Sequence, residues 1–207
     1  QLYIMIGDVT GHGIPSALVT GTASGAIQAC LDLFHDANSR DPAVCLQKMA
    51  STLNKVIFNT GGKAKRVMTM AFLCIDLKNM QAYYLNAGHN SIFHISGNMS
   101  KSVLAPGSVL GVDVSTEFGC RQFPIRLHDS LFLYTDGLIE NGGDLKSERL
   151  STRQLSKLLS SEESPAVVLA KIESEINHLW QARKPDDDTT FLMIRILKSC
   201  QDEAEAA

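Results

Sequence analysis

Three aspartates stand beside strongly apolar runs in distant parts of the chain: Asp8 in LYIMIGDVTGHG, Asp136 in LFLYTDGLIE, and the triplet Asp186, Asp187 and Asp188 in PDDDTTFLMIRI. A carboxylate where a core strand meets a turn is rigid at one end and open to solvent at the other, which is what a hard cation needs from an oxygen ligand. One such aspartate is an ordinary turn former. Three ask for a common cause, and the pattern predicts a divalent-metal hydrolase. The candidate turns carry Asp, with no His-X-X-X-His motif and no closely paired cysteines, so Mg²⁺ or Mn²⁺ fits and zinc is disfavoured. A pair of such ions sharing acidic ligands bridges a phosphate, lowers the pKa of a shared water and stabilises charge on the phosphoryl oxygens.

The elements that must position these groups follow from pattern. Residues 2–6 read as a strand, and the glycine turn after it leads into a long segment rich in small residues, with Pro15 suited to a first helical turn. Thr20, Thr22, Ser24 and Gln28 interrupt the apolar run of 14–34, which predicts a buried helix rather than a membrane span. Gly21 and Gly25, one turn apart, predict close packing on the domain's own sheet in preference to a homodimer face. A second helix opens with Asp41 as N-cap and Pro42 behind it, and Leu46, Met49, Leu53 and Val56 form its core stripe. VMTMAFLCIDL and QAYYLNAG flank Lys78 and Asn79 as a hairpin, and SIFHISGN, GCRQFPIRL, SLFLYTDG and TTFLMIRIL supply further strands. Helices are expected near 154–159 and over 164–180, the latter with Ser164 as N-cap and Pro165 in the first turn. Antiparallel strands with helices grouped at two places predict an α+β fold, a layered sandwich of two mainly antiparallel sheets flanked by helices (α-β-β-α). One domain is expected over 1–198, with 199–207 as a frayed tail.

The balance of residues narrows the function. Net charge is −3 with both signs mixed, and no basic cluster is interleaved with aromatics, which argues against a nucleic-acid partner. Five scattered cysteines, Cys30, Cys45, Cys74, Cys120 and Cys200, form no metal or redox spacing and fit a reducing compartment. The opening at Gln1, directly into a strand, predicts a fragment of a longer protein.

Taken in order, GDVTGHG with its small-residue helix, LNAGHN, PGSVLGV, LYTDGLIE and DDDTTFLMIRI resemble the SpoIIE/RsbU-like branch of the metal-dependent serine/threonine protein phosphatases, the 2C-type superfamily. The resemblance spans nearly the whole chain. It implies that Asp8 bridges two metals, that the Val9 carbonyl binds one of them, and that Asp136 is a further ligand. The final motif supplies one more, either Asp187 with Thr190 or Asp186 with Thr189; Asp187 is preferred because Phe191 then begins the apolar run. Asp8, Asp136 and Asp187 are the implied catalytic centre. His12 is a candidate general acid, set against a helix-cap or packing role. His89 of AGHN reads as a hydrogen-bonding residue rather than a ligand, with Ser91 where the family often has proline. Gly107, Leu110 and Gly111 shape a loop, and Gly11 and Gly13 let the metal turn curve. Asp32, Asp36 and Asp41 read as solvated charge and caps, and Lys63, Lys65 and Arg66 as a solvated basic loop.

By the same resemblance the activity is hydrolysis of a phosphoserine or phosphothreonine protein by metal-activated water. The implied substrate is a STAS-type anti-sigma-factor antagonist, and an upstream regulatory module belongs to the parent chain. A cytoplasmic location is expected, with a parent protein that can be membrane-tethered. A further aspartate in a GGD-like motif, on a strand upstream of Gln1, is expected to lie outside this chain, so the fragment by itself is expected to bind metal poorly and to be inactive where the parent enzyme is competent. The rival reading is a catalytically degenerate domain of the same fold that acts by protein interaction.

Overall fold

The computed structural model describes residues 1–35, 41–61, 66–142, 149–180 and 185–198. In chain order the elements are β1 (Leu2–Val9), α1 (Ile14–His35), α2 (Pro42–Gly61), β2 (Met68–Asp76), β3 (Gln81–Ala87), β4 (Phe93–Ser96), β5 (Met99–Ser102), β6 (Arg121–Pro124), β7 (Ser130–Tyr134), α3 (Gly137–Glu140), α4 (Thr152–Leu159), α5 (Pro165–Trp180) and β8 (Phe191–Arg195). They fall into two compact units. The first comprises Gln1–His89 and Ala105–Pro124, the second Asn90–Leu104 and Ile125–Ala207. Each holds one four-stranded antiparallel sheet, β1-β2-β3-β6 in the first and β5-β4-β7-β8 in the second. The α+β class with two antiparallel sheets and helices is borne out. The readings of Asp36, Lys63, Lys65, Cys200 and the tail 199–207 lie outside the described residues.

In the first unit β2 is buried at almost every position, which explains why MTMAFLCID reads as a continuous apolar run rather than an alternating one. The α2 helix begins as expected, with the Ala43 N–H donating to Asp41 Oδ1 at 2.9 Å. Its core stripe differs at one place: Leu46, Met49, Leu53 and Ile57 are fully buried, while Val56 is only half-buried. A 3.6-residue period carries the stripe from 53 to 57. These side chains pack with Phe72, Cys74 and Leu85 of the sheet, each buried aliphatic side chain contributing about 1.5–3 kcal/mol.

Two expectations about α1 are corrected. It is not a buried helix: Val19, Ala23 and Cys30 enter the core, but Ile14, Leu18 and Leu33 are exposed and only 17% of its most apolar window is buried. Its apolar residues recur at positions 14, 18, 19, 23, 30 and 33, and only some of them meet the core that its main neighbour α2 helps to build. By length and composition alone it is also apolar enough to cross a membrane. Gly21 and Gly25 do not mediate close packing, since a Cβ built at either would meet nothing within 4 Å.

The second unit is closed by Phe93, Phe132, Tyr134, Leu155, Val168, Ile172 and Met193. Its α4 carries a capping box: the Gln154 N–H donates to Ser151 Oγ at 3.2 Å and the Ser151 N–H to Gln154 Oε1 at 3.0 Å. The β2–β3 hairpin is present, but successive strands are not always partners. β6 pairs with β3, whereas the next strand, β7, pairs with β4 and β8.

Asp76 pins that hairpin. Its Oδ1 accepts the N–H groups of Lys78 and Asn79 at 3.0 and 3.1 Å, and its Oδ2 accepts Asn79 Nδ2 at 2.8 Å. Burial pushes the carboxyl pKa up, but these hydrogen bonds outweigh it and the net shift is downward. A depressed folded pKa stabilises the protein above the unfolded carboxylate pKa and loses that stabilisation as pH falls through the folded value. Asp76→Ala should therefore cost about 1–3 kcal/mol at pH 7. Urea titrations of both proteins should show the gap narrowing as the pH is lowered through the carboxylate range.

Candidate metal centre

Asp136 leaves the end of β7, a strand buried along its whole length. Thr135 fixes the exit: its N–H donates to the Thr190 carbonyl at 2.9 Å, and the Thr190 N–H donates to Thr135 Oγ1 at 2.9 Å. These bonds carry the β7–β8 pairing one residue further. Asp136 then occupies the N-cap of α3, where an aspartate ordinarily accepts a hydrogen bond from the first turn. It makes no such bond. Its carbonyl takes the Ile139 and Glu140 N–H groups, both at 2.8 Å, while its side-chain Oδ1 is buried with no hydrogen-bond partner among the described residues. An orphaned buried acceptor costs about 1–3 kcal/mol, more when charged, so the fold holds this oxygen ready for an electrophile.

Asp187 supplies the second carboxylate, with an oxygen within 4.8 Å of one on Asp136. Neither residue forms an ion pair among the described residues. Two carboxylates held this close repel unless a cation lies between them. The turn that carries Asp187 reaches this place through two features. Gly137 leaves room for it, because a Cβ there would lie 2.4 Å from the Asp188 carbonyl oxygen. Asn141, which is buried, grips it by both ends of its amide: Oδ1 accepts the Asp186 and Asp187 N–H groups, each at 2.9 Å, and Nδ2 donates to the Asp187 carbonyl at 2.7 Å and to Thr189 Oγ1 at 2.9 Å. Asp187 Oδ1 also accepts the Asp188 N–H at 2.8 Å. Asn141 was not among the residues singled out by sequence. A lone Asn after a short helix reads as a C-cap, and no periodicity marks it as buried.

In the first unit β1 continues beyond the expected 2–6, so Asp8 lies within the strand, opposite Thr69 in β2, and Val9 next to it is buried. The following turn is tied to the approach to β2. The Thr10 N–H donates to the Val67 carbonyl at 3.0 Å, the Val67 N–H to Thr10 Oγ1 at 3.1 Å, and Arg66 Nη1 to the Thr10 carbonyl at 3.1 Å. Arg66 is thus no solvated loop residue. It is half-buried against Gly11, whose φ is +78° and where a Cβ would lie 1.9 Å from Nη1. The missing side chain is what admits the guanidinium. His12 is exposed and forms no hydrogen bond among the described residues, so it does not cap α1.

His89 is buried and its Nδ1 lies 2.8 Å from Thr69 Oγ1; its backbone N–H donates to Asn86 Oδ1 at 2.7 Å and its carbonyl accepts Asn86 Nδ2 at 2.8 Å. It fixes loops rather than presenting a ligand atom in the acidic group. Leu110 exchanges backbone hydrogen bonds with Met68 at 2.9 and 3.1 Å, and Gly111 donates to Asn54 Oδ1 at 2.7 Å, which anchors the PGSVLGV loop. Asp32 accepts Gln28 Nε2 at 2.8 Å on the surface of α1. Burial pushes the Cys74 thiol up to about 12 and the Cys120 thiol up to about 11, so neither offers a thiolate to a metal. Carboxylate oxygens are the donors, and they fit a hard divalent cation.

The family model described as Stage II sporulation protein E (SpoIIE) matches residues 1–197. The phosphoserine phosphatase RsbP of Bacillus subtilis (strain 168) is 25% identical over 195 residues, which are 93% of this chain and 45% of that protein. The chain therefore spans less than half the length of this curated relative. Among solved structures, the SiaA-PP2C domain of Pseudomonas aeruginosa has a TM-score of 0.77 at 21% identity, over 94% of this chain and 75% of that one. The catalytic domain of the serine threonine protein phosphatase PstP in complex with two manganese ions has a TM-score of 0.71 at 11% identity, over 95% and 88%. These likenesses show a shared fold, and with the match over residues 1–197 the chain belongs to the SpoIIE family.

Proposed function

We propose that this domain is a metal-dependent phosphatase that hydrolyses a phosphoserine or phosphothreonine ester on a protein. The observation that carries the reading is the Asp136 carboxylate, whose Oδ1 is buried without a partner among the described residues and one of whose oxygens lies within 4.8 Å of an oxygen of Asp187. A fold that acted only by protein contact would leave that acceptor unsatisfied for nothing. The family resemblance adds Asp8, through its carboxylate, and Val9, through its carbonyl, as candidate ligands on the first unit. When bound, a pair of Mn²⁺ or Mg²⁺ ions supplies the positive charge that acidifies a water and stabilises the phosphoryl oxygens.

The protein's own groups do the holding. Thr135 and Asn141 fix the main chain on either side of the acidic turn, and Arg66 and Val67 fix the turn after Asp8. His12, exposed on that turn, is the candidate to give a proton to the leaving alkoxide. RsbP is named a phosphoserine phosphatase and the PstP structure holds two manganese ions, which supports the reaction class and the metal. The substrate is a phosphorylated STAS-type protein in bacterial signalling in the cytoplasm, and a regulatory module in the parent chain controls access to it.

Release of inorganic phosphate from a phosphoserine STAS-domain protein should require Mn²⁺ or Mg²⁺ and stop with EDTA. Asp136→Ala and Asp187→Ala should each lower the rate at least ~100-fold, the effect of losing several kcal/mol of charge stabilisation. Parent protein that includes the strand upstream of Gln1, binds Mn²⁺ and yet releases phosphate from no phosphoprotein would sink the reading.

A second prediction concerns stability. In EDTA, Asp136→Asn should be at least as stable as wild type, by roughly 0–2 kcal/mol, because it relieves the repulsion between the Asp136 and Asp187 carboxylates. With Mn²⁺ the order should reverse, since ligand binding stabilises only the protein that retains the carboxylate. Thermal melts with and without Mn²⁺ decide it; a wild-type Tm indifferent to Mn²⁺ counts against the site.

A further inference from the structure

We propose that Asn141 is a positioning residue that sets the distance between Asp136 and Asp187. The proposal rests on the metal-dependent reading given above and adds to it the device that makes two mutually repelling carboxylates hold one geometry. Asp136 opens α3 and Asn141 closes it, its N–H donating to the Gly137 carbonyl. One short helical turn therefore connects the first carboxylate to the residue that grips the second. The Asn141 amide makes four hydrogen bonds, two accepted and two donated, all to residues 186–189. An asparagine side chain has four such sites in all. Three of the four go to the main chain of Asp186 and Asp187, so they fix where the Asp187 side chain starts, whatever that side chain then binds.

Nothing else described holds this stretch in the same way. Thr135 Oγ1 reaches only the Asp188 and Thr190 carbonyls, both at 3.3 Å, and the Thr190 N–H, which secure the entry to β8. Residues 185–188 are all exposed, and three of them are acidic. Without Asn141 their mutual repulsion would open the turn away from Asp136 while β8 kept its register. The anchor itself is fixed from behind, because Trp180 Nε1 donates to the Asn141 carbonyl at 3.1 Å in a buried setting.

Trp180 supplies the control. Trp180→Phe removes the bond to the Asn141 carbonyl but leaves its side-chain amide intact, so it weakens the fold without releasing the turn. In EDTA, amide hydrogen exchange at Asp186 and Asp187 should become at least ~10-fold faster in Asn141→Ala, with Thr190 unchanged, and should stay within ~2-fold of wild type in Trp180→Phe. Mn²⁺ affinity, measured by titration calorimetry, should fall ~10-fold or more in Asn141→Ala and hold in Trp180→Phe. If Asn141→Ala does not fold, Thr189→Val removes one of the four bonds and should move both readouts the same way by ~3-fold. Unchanged exchange at 186 and 187, or equal changes in the alanine and phenylalanine variants, overturns the proposal. Parent protein, with the strand upstream of Gln1 present, that binds Mn²⁺ with this dependence on Asn141 yet releases no phosphate overturns the phosphatase reading and leaves the positioning role standing.

Discussion

Electrostatic repulsion between carboxylates is the constraint around which the second unit is organised. A folding chain left to itself would point Asp136 toward the first turn of α3, where N–H groups are available, and let the acidic triplet spread into water. The structure does neither. Gly137 permits the triplet's turn to close over α3, Thr135 ties the strand ends together, and Asn141 holds the main chain of 186 and 187. All three are neutral, and Thr135 and Asn141 direct their hydrogen bonds at backbone and at the Thr189 hydroxyl rather than at the Asp136 carboxylate, so no cation of the protein's own offsets the local negative charge.

The first unit solves a related problem with different means. Its candidate ligand, Asp8, is inside a paired strand, which makes its backbone as rigid as the sheet. The turn beyond it cannot be stabilised by a side chain at Gly11, and a guanidinium from the approach to β2 takes that space instead. Helix α2, not α1, is what the sheet is built upon: its stripe is fully buried, whereas α1 leaves much of its apolar surface open.

Much of this was legible in the residues. The carboxylates were marked by their place beside apolar runs, the α2 cap by Asp41 and Pro42, and the β2–β3 hairpin by its flanking strands. What escaped shares a physical origin. Strand β5 is MSKS, polar and mostly exposed, so it has no apolar alternation to betray it. Helix α3 is a single turn, shorter than the period that would reveal it. The exposure of α1 depends on how many neighbours reach it, which composition does not encode. Asn141 and Arg66 matter through contacts made across 46 and 56 positions of sequence, and a hydrogen-bonding partner that remote leaves no trace in local pattern.

Asn141 is followed directly by Gly142. That dipeptide is the one most prone to slow self-modification, in which the next backbone nitrogen attacks the side-chain carbonyl carbon and ammonia is lost through a cyclic imide. Here the carbonyl oxygen is already engaged by two N–H donors, the leaving nitrogen donates two hydrogen bonds, and the residue is buried. Ring closure would have to turn the amide carbon toward the Gly142 nitrogen against these contacts, and the departing nitrogen would lose both of its hydrogen bonds. The network that shapes the acidic turn thus also shields its weakest covalent link from ageing, and the first sign of a loosened fold would be chemical decay at that bond.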